Sequence, residues 1–508
     1  MVVPCYLYSR VAGNVECFQI YKLIPAAASF ARCLLNYNWL LLRLHELNYM
    51  NLKFALVVLL LIFTQPVLLQ ARKKHKRKHK TEQTQNNDEN DDDAEPSDEE
   101  EEEKDHMSLK DMRNSYSLEL PMNRNGSGTG WNPDKAPMYS YNIYTHKWLF
   151  MVHGDMFMRY NNQDAIKAGP LHTEQYDVTN MFVITGQRQS GLDGLLHFNA
   201  AFSSDILFAN TDALAQFYQD GDNWNNKRTG NRQLPNNIFS ELAVSYAWTY
   251  ADKGDIFIYG GYPAEPALGP VSYLKRPSAS FIATSPLTHR WTDGTEISYG
   301  VGTLGMRQGK FKIEGSSFTG RTPDKNNYDF NLPLFNSFSG RLSFNPSSRL
   351  ALQISRGYIK SPDVYKPDRN ITRTTASATY VRPIAPRQYF SYSLIWGINE
   401  PTNGLPSNAA LLEATLKIKR RTGYSRLEWA QKTAYDLNLN PIGFNSKQQY
   451  NVSALTVGAA LDLIYIKYFT IAGGAQVTGH LADNALNGTY GQYPLSGQLY
   501  LHIYPILQ

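Results

Sequence analysis

The sequence predicts an all-β fold: a transmembrane antiparallel β-barrel of about 16 strands, similar in architecture to porins. Three observations support this prediction. Segments that alternate between apolar and polar residues follow one another from His146 to the C-terminus, their connections alternate between long and short, and a secretion signal precedes them. Transmembrane barrels combine short periplasmic turns with long outer loops, and their strands alternate residue by residue between lipid and lumen. A soluble two-layer β-protein would show similar alternation, but the signal and the loop pattern favour a membrane barrel.

The predicted strands are bounded by turn residues such as Gly, Asn, Asp and Pro. The long connections include 207–237 and 263–293, whereas those near 251–253 and 307–308 are very short. This alternation predicts that both termini are periplasmic, in the outer membrane of a Gram-negative cell. The predicted strands are 147–160, 176–189, 193–206, 238–250, 254–262, 294–306, 309–320, 335–345, 348–358, 371–382, 388–399, 409–420, 423–432, 451–462, 465–477 and 494–504.

Alternation also predicts which side chains face the lumen, because the polar face of each strand points inward and the apolar face points to lipid. A barrel of about sixteen strands has room for water inside. Rings of lumenal charge set ion selectivity, so an excess of lysine and arginine would favour anions. The alternative is that these charges pair with one another and only hold the wall. The predicted pore-lining residues are Asp155, Arg159, Lys310, Lys312, Glu314, Arg373, Glu413, Lys417 and Lys419.

The first hundred residues differ in composition from the rest. Met50 opens a short positive region and an apolar core, the pattern of a secretory signal peptide. A membrane anchor is the alternative, but Gln65 and Pro66 end the apolar run after about a dozen residues, and a spanning helix needs about 20. Dense runs of like charge then follow, which cannot form a core. The predicted segments are a non-native upstream extension at 1–49, a signal peptide at 50–71, a disordered basic then acidic tail at 72–105, a linker or plug segment at 106–145 and the outer-membrane β-barrel at 146–508.

Thioether and imidazole groups fall on the inward faces of the first three predicted strands. Met151 and His153 belong to the first strand, Met181 to the second and His197 to the third. Neighbouring strands can bring such groups together, and soft sulfur and nitrogen ligands suit copper. These residues are therefore candidate copper ligands, with ordinary packing of the lumen as the alternative. No other cofactor is predicted.

The sequence offers little support for catalysis, and we predict that the protein is not an enzyme. It contains neither a GxSxG nucleophile motif nor an HExxH zinc motif. The candidates for acid–base chemistry lie together at the mouth of a predicted loop and are His289, Asp293 and Glu296. All three cysteines lie within the first 33 residues, which excludes disulfides and thiol chemistry in the barrel. The expected partners are outer-membrane lipid, the barrel-assembly machinery and small solutes or ions, with no nucleic acid.

Several stretches resemble a family of uncharacterised bacterial outer-membrane β-barrels often encoded near copper and other heavy-metal resistance genes. The resemblance covers roughly residues 146 to 430, and the stretch Glu314–Asp324 is its most distinctive part. It implies an outer-membrane location and a link to metal homeostasis. The sequence departs from the family pattern at Arg290 and Glu296, where histidines are expected. The other matching stretches are His153–Gly154, Glu265–Pro270, Pro286–His289 with Asp293, and Arg373–Tyr380.

Overall fold

The alternating segments form sixteen long antiparallel strands that close into a barrel within the described part of the chain. The computed structural model describes residues 112–145, 147–165, 171–208, 213–224, 227–293, 297–322, 332–439, 443–445 and 448–507. The predicted upstream extension, signal peptide and charged tail lie outside these residues, as do 106–111. The barrel strands are β1 (Leu149–Gln163), β2 (Thr173–Ser190), β3 (Gly194–Phe202), β4 (Phe239–Ala251), β5 (Gly254–Gly261), β6 (Val301–Gln308), β7 (Phe311–Phe318), β8 (Ser337–Ser347), β9 (Leu350–Ile359), β10 (Ile371–Ala385), β11 (Gln388–Pro401), β12 (Ser407–Ile418), β13 (Arg421–Thr433), β14 (Gln449–Tyr465), β15 (Phe469–Ala482) and β16 (Leu495–Pro505).

These strands confirm the predicted fold, strand number and alternation of connections. Each predicted strand overlaps an observed one, and the turns are two or three residues long at one end of the barrel. We call that end the turn end and the opposite one the loop end. The largest error is the predicted strand 294–306, because β6 begins only at Val301. Of its expected first residues, 297–300 belong to the preceding loop, where Ser298 forms a β-bridge with Ala264, and 294–296 lie outside the described residues.

The seam of the barrel lies on β1, which has two partners on the same edge. Gly497–Ile503 of β16 pairs with Met156–Asn162 of β1 and closes the barrel. The remaining part of β1 pairs with a short strand, Ser140–Tyr144, which precedes it in the chain. The seam therefore attaches the segment that enters the barrel directly to its wall.

The remaining elements are short. Three two-stranded sheets pair Arg113–Asn114 with Ser117–Pro121, Leu214–Ala215 with Arg232–Gln233, and Asp222–Trp224 with Lys227–Thr229. No helix in the described ranges is long and apolar enough to span a membrane. The helical turns are Met122–Arg124, Asp205–Phe208, Tyr273–Lys275, His289–Thr292, Asn484–Leu486 and Asn487–Tyr490.

The two surfaces of the wall have opposite chemistry. The outward face carries exposed apolar side chains on every side, for example Ile258, Leu304 and Val457. On β16, Leu499 and Leu501 point outward and Tyr500, His502 and Tyr504 are buried on the inner face. An apolar exterior around a polar interior is the arrangement that a lipid solvent requires.

Three segments occupy the interior. Residues 112–139, here called the plug segment, bond to the inner wall. The β5–β6 loop, described over residues 262–293 and 297–300, runs through the lumen. Residues 213–221, from the connection predicted at 207–237, also turn inward, where the side chain of Asn161 donates to the carbonyl of Ala215 at 2.9 Å. The inward path of the β5–β6 loop was not predicted from the sequence.

Candidate functional site

The β5–β6 loop is anchored by a buried arginine at the centre of the lumen. Arg276 is fully buried, and its Nε lies 2.6 Å from Glu413 Oε1 on β12. Its Nη1 lies 2.9 Å from Asp293 Oδ1, in the same loop. Arg426 of β13 approaches the second oxygen of Glu413 at 3.2 Å. Buried charges are costly unless they are paired, so this network fixes the loop against the wall.

The plug segment is anchored on β7 and β8 in a similar way. Arg341 donates from Nη2 to the hydroxyl of Thr129 at 2.7 Å and from Nε to Glu314 at 3.0 Å. Lys312 donates to the carbonyl oxygen of Thr129 and lies 4.8 Å from the ring centre of Trp131. The charges of the wall thus hold the plug segment through both its backbone and its side chains.

The plug segment and the β5–β6 loop also bind each other. Ser127 donates from Oγ to Glu265 Oε1 at 2.9 Å. The Oγ of Ser127 also accepts a hydrogen bond from the backbone N–H of Ser272 at 2.7 Å. Burial raises the pKa of Glu265 to about 7, an effect that its bond with Ser127 and the nearby Arg341 partly offset. This carboxyl group therefore changes charge near neutral pH.

Two of the cavities that the described residues enclose inside the barrel lie one toward each end. The turn-end chamber has a volume of about 150 Å³ and the loop-end chamber about 250 Å³. Met181 of β2 and Leu274 of the β5–β6 loop line both chambers, so the two meet at these side chains. Leu274 is 38% exposed although it lies inside the barrel. The boundary between the two chambers at these side chains is here called the constriction of the lumen.

Charges of both signs line the chambers. Beside the constriction, Lys275 Nζ lies 3.3 Å from Glu241 Oε2. Deeper in the turn-end chamber, His502 Nε2 lies 3.3 Å from Asp155 Oδ2. The loop-end chamber alternates cations with carboxylates, and its lining includes Arg228, Arg290, Arg369, Arg373, Asp220, Asp222, Asp363 and Asp436. Both chambers therefore carry charged groups within a lining that also contains apolar side chains.

Seven of the nine predicted pore-lining residues face inward. Six of them are buried and bonded, as Lys417 is to Asp462 at 2.9 Å, and of these six Arg373 also lines the loop-end chamber. Asp155 alone among the seven keeps a partly exposed side chain on a chamber. The inward placement predicted for Lys310 and Lys419 is wrong, because both lie in the tight turns after the strands and are exposed at the turn end. The other five inward residues are Arg159, Lys312, Glu314, Arg373 and Glu413.

The four candidate copper ligands, Met151, His153, Met181 and His197, all line the turn-end chamber. Both ring nitrogens of His197 are within hydrogen-bond distance of hydroxyl groups, Ser115 at 2.9 Å and Ser245 at 3.2 Å. The side chain of His153 makes no hydrogen bond with any described residue. Among the described residues no group of three or more His, Cys, Asp or Glu side chains is placed to hold a metal ion.

Of the three candidate acid–base residues, the structure describes His289 and Asp293. Asp293 is bound to Arg276, and Glu296 lies outside the described residues. Burial, together with the neighbouring Arg290, lowers the pKa of His289 well below its usual value. The imidazole is therefore neutral at physiological pH.

Sequence reasoning missed the residues that shape the passage, Leu274, Lys275 and Arg276. Periodicity cannot place them, because they lie in an irregular loop. The composition of 263–293 contains a signal, since this long connection is rich in alanine, proline and serine and carries few charges. Exposed loops are usually polar, so such a composition indicates burial.

The closed strands, the apolar exterior and the filled lumen define a class: a transmembrane β-barrel narrowed by internal segments. No family model matches the chain, and none of the curated proteins matches it. Among solved structures it is similar to OmpF of Salmonella typhi, with a TM-score of 0.43 and 11% identity over 72% of this chain and 100% of that chain. An anion-selective porin from Comamonas acidovorans has a TM-score of 0.42 and 12% identity over 71% and 100%. OmpT, an outer membrane protein of Vibrio cholerae, has 0.41 and 8% over 72% and 100%.

Proposed function

We propose that this protein is an outer-membrane channel for small solutes or ions, narrowed by its plug segment and β5–β6 loop. The observation that supports the proposal is the pair of chambers, each with charged side chains in its lining, that meet at Met181 and Leu274. A barrel built only for mechanical stability gains nothing from ionised groups beside internal cavities, because each desolvated charge costs free energy. A path for hydrated solutes does need such groups.

The structure bears on the predicted selectivity for anions. Most of the inward cations of the wall are paired with carboxylates, so their excess does not act on a passing ion. Under the proposal, selectivity comes from Lys275 and Glu241 at the constriction. The pair sets a positive and a negative group beside the narrowest point, which favours small polar solutes over large or apolar ones.

The proposal includes a location and partners. The apolar exterior would contact outer-membrane lipid, the barrel-assembly machinery would insert the chain, and the termini would be periplasmic. It includes no catalytic step and no nucleic acid.

Conductance across planar bilayers tests the channel. The refolded full chain should give discrete current steps, and Leu274→Ala should enlarge them because a smaller side chain widens the constriction. Leu274→Trp should reduce them. Leu304→Ala is the matched control, because Leu304 is 61% exposed on the outer face. Absence of current steps from a folded barrel, or equal effects at both leucines, would contradict the proposal.

A second candidate function is a plugged barrel that binds copper and acts in heavy-metal homeostasis. The convergence of Met151, His153 and Met181 on one chamber favours it. Titration with Cu(I) should then show binding that is lost in Met151→Leu and His153→Gln but kept in His172→Gln, where an exposed loop histidine is removed. If copper does not bind, or if all three variants bind it equally, this candidate fails.

A further inference from the structure

The turn end of the barrel carries a ring of exposed cations that the channel does not use. Every one of the seven short turns has a lysine or arginine within it or close beside it, so the ring follows the whole circumference. We call this set the basic rim. Its members are Arg188, Lys253, Lys310, Arg349, Arg382, Arg387, Lys419, Arg420, Arg421 and Lys467.

Few anionic groups neutralise the basic rim. The exposed carboxylates at this end, among the described residues, are Asp193, Asp252 and Glu119, and Glu119 is already paired with Arg307. From β8 to β15 the short turns contain no exposed carboxylate at all within the described chain. The rim therefore presents uncompensated positive charge to its surroundings.

The basic rim lies at the level of outward-facing aromatic side chains. Trp248, Tyr250 and Phe311 are all exposed on the outer face and lie within four residues of a short turn. Aromatic girdles mark the two membrane interfaces of a β-barrel. The cations of the rim are therefore placed at the depth of the lipid headgroups.

Some of these cations belong to the outer wall and not to the turns. Arg421 starts β13 between Ile418 and Leu461, which are both exposed on the outer face. Arg382 is outward on β10 beside Phe390. Such a side chain lays its aliphatic stem along the apolar surface and extends its guanidinium group to the interface.

We propose that the basic rim binds the phosphate groups of anionic phospholipids in the leaflet at the turn end. A protein partner would need a patch on one side, whereas the rim surrounds the barrel as the lipid annulus does. Lysine and arginine near a membrane surface attract anionic headgroups, and the attraction is screened by salt. The inference is independent of whether the barrel conducts.

The test compares two variants that lose the same charge. Arg387, Lys419 and Arg421 are exposed and make no side-chain hydrogen bond with described residues, so the rim variant changes all three to glutamine. The control variant changes Lys227, Arg356 and Lys360, which are exposed toward the loop end, to glutamine. The full chain is reconstituted into phosphatidylcholine vesicles, and quenching of tryptophan fluorescence by brominated phosphatidylglycerol is compared with quenching by brominated phosphatidylcholine.

We expect the wild-type barrel to prefer phosphatidylglycerol severalfold at low salt and to lose most of the preference at high salt. The rim variant should lose it at low salt as well, while the control variant keeps it. A charge-preserving variant, Arg387→Lys with Lys419→Arg and Arg421→Lys, should behave like the wild type, which separates charge from folding. Equal quenching by both lipids in the wild type, or an equal loss in the rim and control variants, overturns the proposal.

Discussion

The wall of the barrel and the contents of its lumen are held together in different ways. In the wall, adjacent strands pair residue by residue through their backbones, and most strands are consecutive in the chain. In the lumen, the plug segment and the β5–β6 loop have little regular structure and depend on side chains from distant strands. Lys312 and Thr129, for example, are 183 residues apart. We therefore expect the wall to form without the lumen contents, whereas the lumen contents depend on side chains of the wall for their placement.

Removal of the plug segment is the strongest test of this difference. We expect a chain that lacks residues 112–139 to form the barrel still, because β16 closes on β1 through Gly497–Ile503 without that segment. The lumen should then conduct severalfold more current, since a barrel of sixteen strands is wide enough for water when it is not filled. Single-channel conductance measures the gain, and altered mobility on heating before electrophoresis measures barrel folding.

The control for this deletion keeps the segment and weakens one anchor. Thr129→Val removes the hydroxyl that Arg341 binds but preserves the volume and the backbone carbonyl. Its conductance should rise less than that of the deletion. An unfolded barrel after the deletion, with the Thr129→Val barrel intact, would show that the wall does depend on the plug segment.

A smaller effect is expected at the anchor of the β5–β6 loop. Arg276→Ala leaves Asp293 without its buried ion partner and leaves Glu413 with Arg426 alone. Breaking a buried ion pair from one side costs about 3–5 kcal/mol. We expect the loop to leave its position and the current to become larger and noisier, while the barrel resists heating nearly as well as the wild type.

Arg356→Ala serves as the comparison for Arg276→Ala. Its partner is Glu400 at 3.2 Å, but its side chain is 64% exposed. Exposed ion pairs contribute about 0–1 kcal/mol, so conductance and heat resistance should not change. Equal behaviour of the two variants would mean that the buried network does not position the loop.

The difference between the wall and the lumen contents also explains which features of the structure the sequence predicts. The alternation of β12 places Glu413 and Lys417 inside and Leu412 and Leu416 outside, and this prediction is confirmed, because facing depends only on neighbours in the chain. Lys310 and Lys419 were misplaced because alternation was extended past the strand ends into the turns. Near a turn the backbone leaves the extended region, and Lys419 has a positive φ of 52°.

The chambers were predictable only in part. Met151, His153, Met181 and His197 were grouped from the sequence because strands β1, β2 and β3 are adjacent. Leu274 and Arg276 were not, because nothing local shows that their loop folds back through the barrel. A long-range partner such as Glu413 decides their position, and one sequence does not reveal such a partner.

The last and smallest expected effect concerns pH at the contact between the plug segment and the β5–β6 loop. The pKa of Glu265 is raised to about 7, so the stability that its protonated form contributes is fully present below the usual carboxyl value and is lost as pH rises through 7. We expect the packing of Glu265 between the plug segment and the β5–β6 loop to loosen over about pH 6 to 8, because the cost of burying the ionised carboxylate exceeds the gain from its hydrogen bond with Ser127. Channel recordings should then show more frequent openings at the higher pH.

Glu265→Gln should remove this pH dependence, because an amide does not ionise, whereas Glu174→Gln at the loop end should keep it.

The chain has no cysteine beyond its first 33 residues, so a disulfide can be introduced as a lock. A Cβ on Gly130 would lie 3.1 Å from Cγ2 of Val271, which suits the double change Gly130→Cys with Val271→Cys. The oxidised lock should abolish the pH response and a reductant should restore it. If the locked channel still responds to pH, the titrating group lies elsewhere, and Glu265 does not control the contact between the plug segment and the β5–β6 loop.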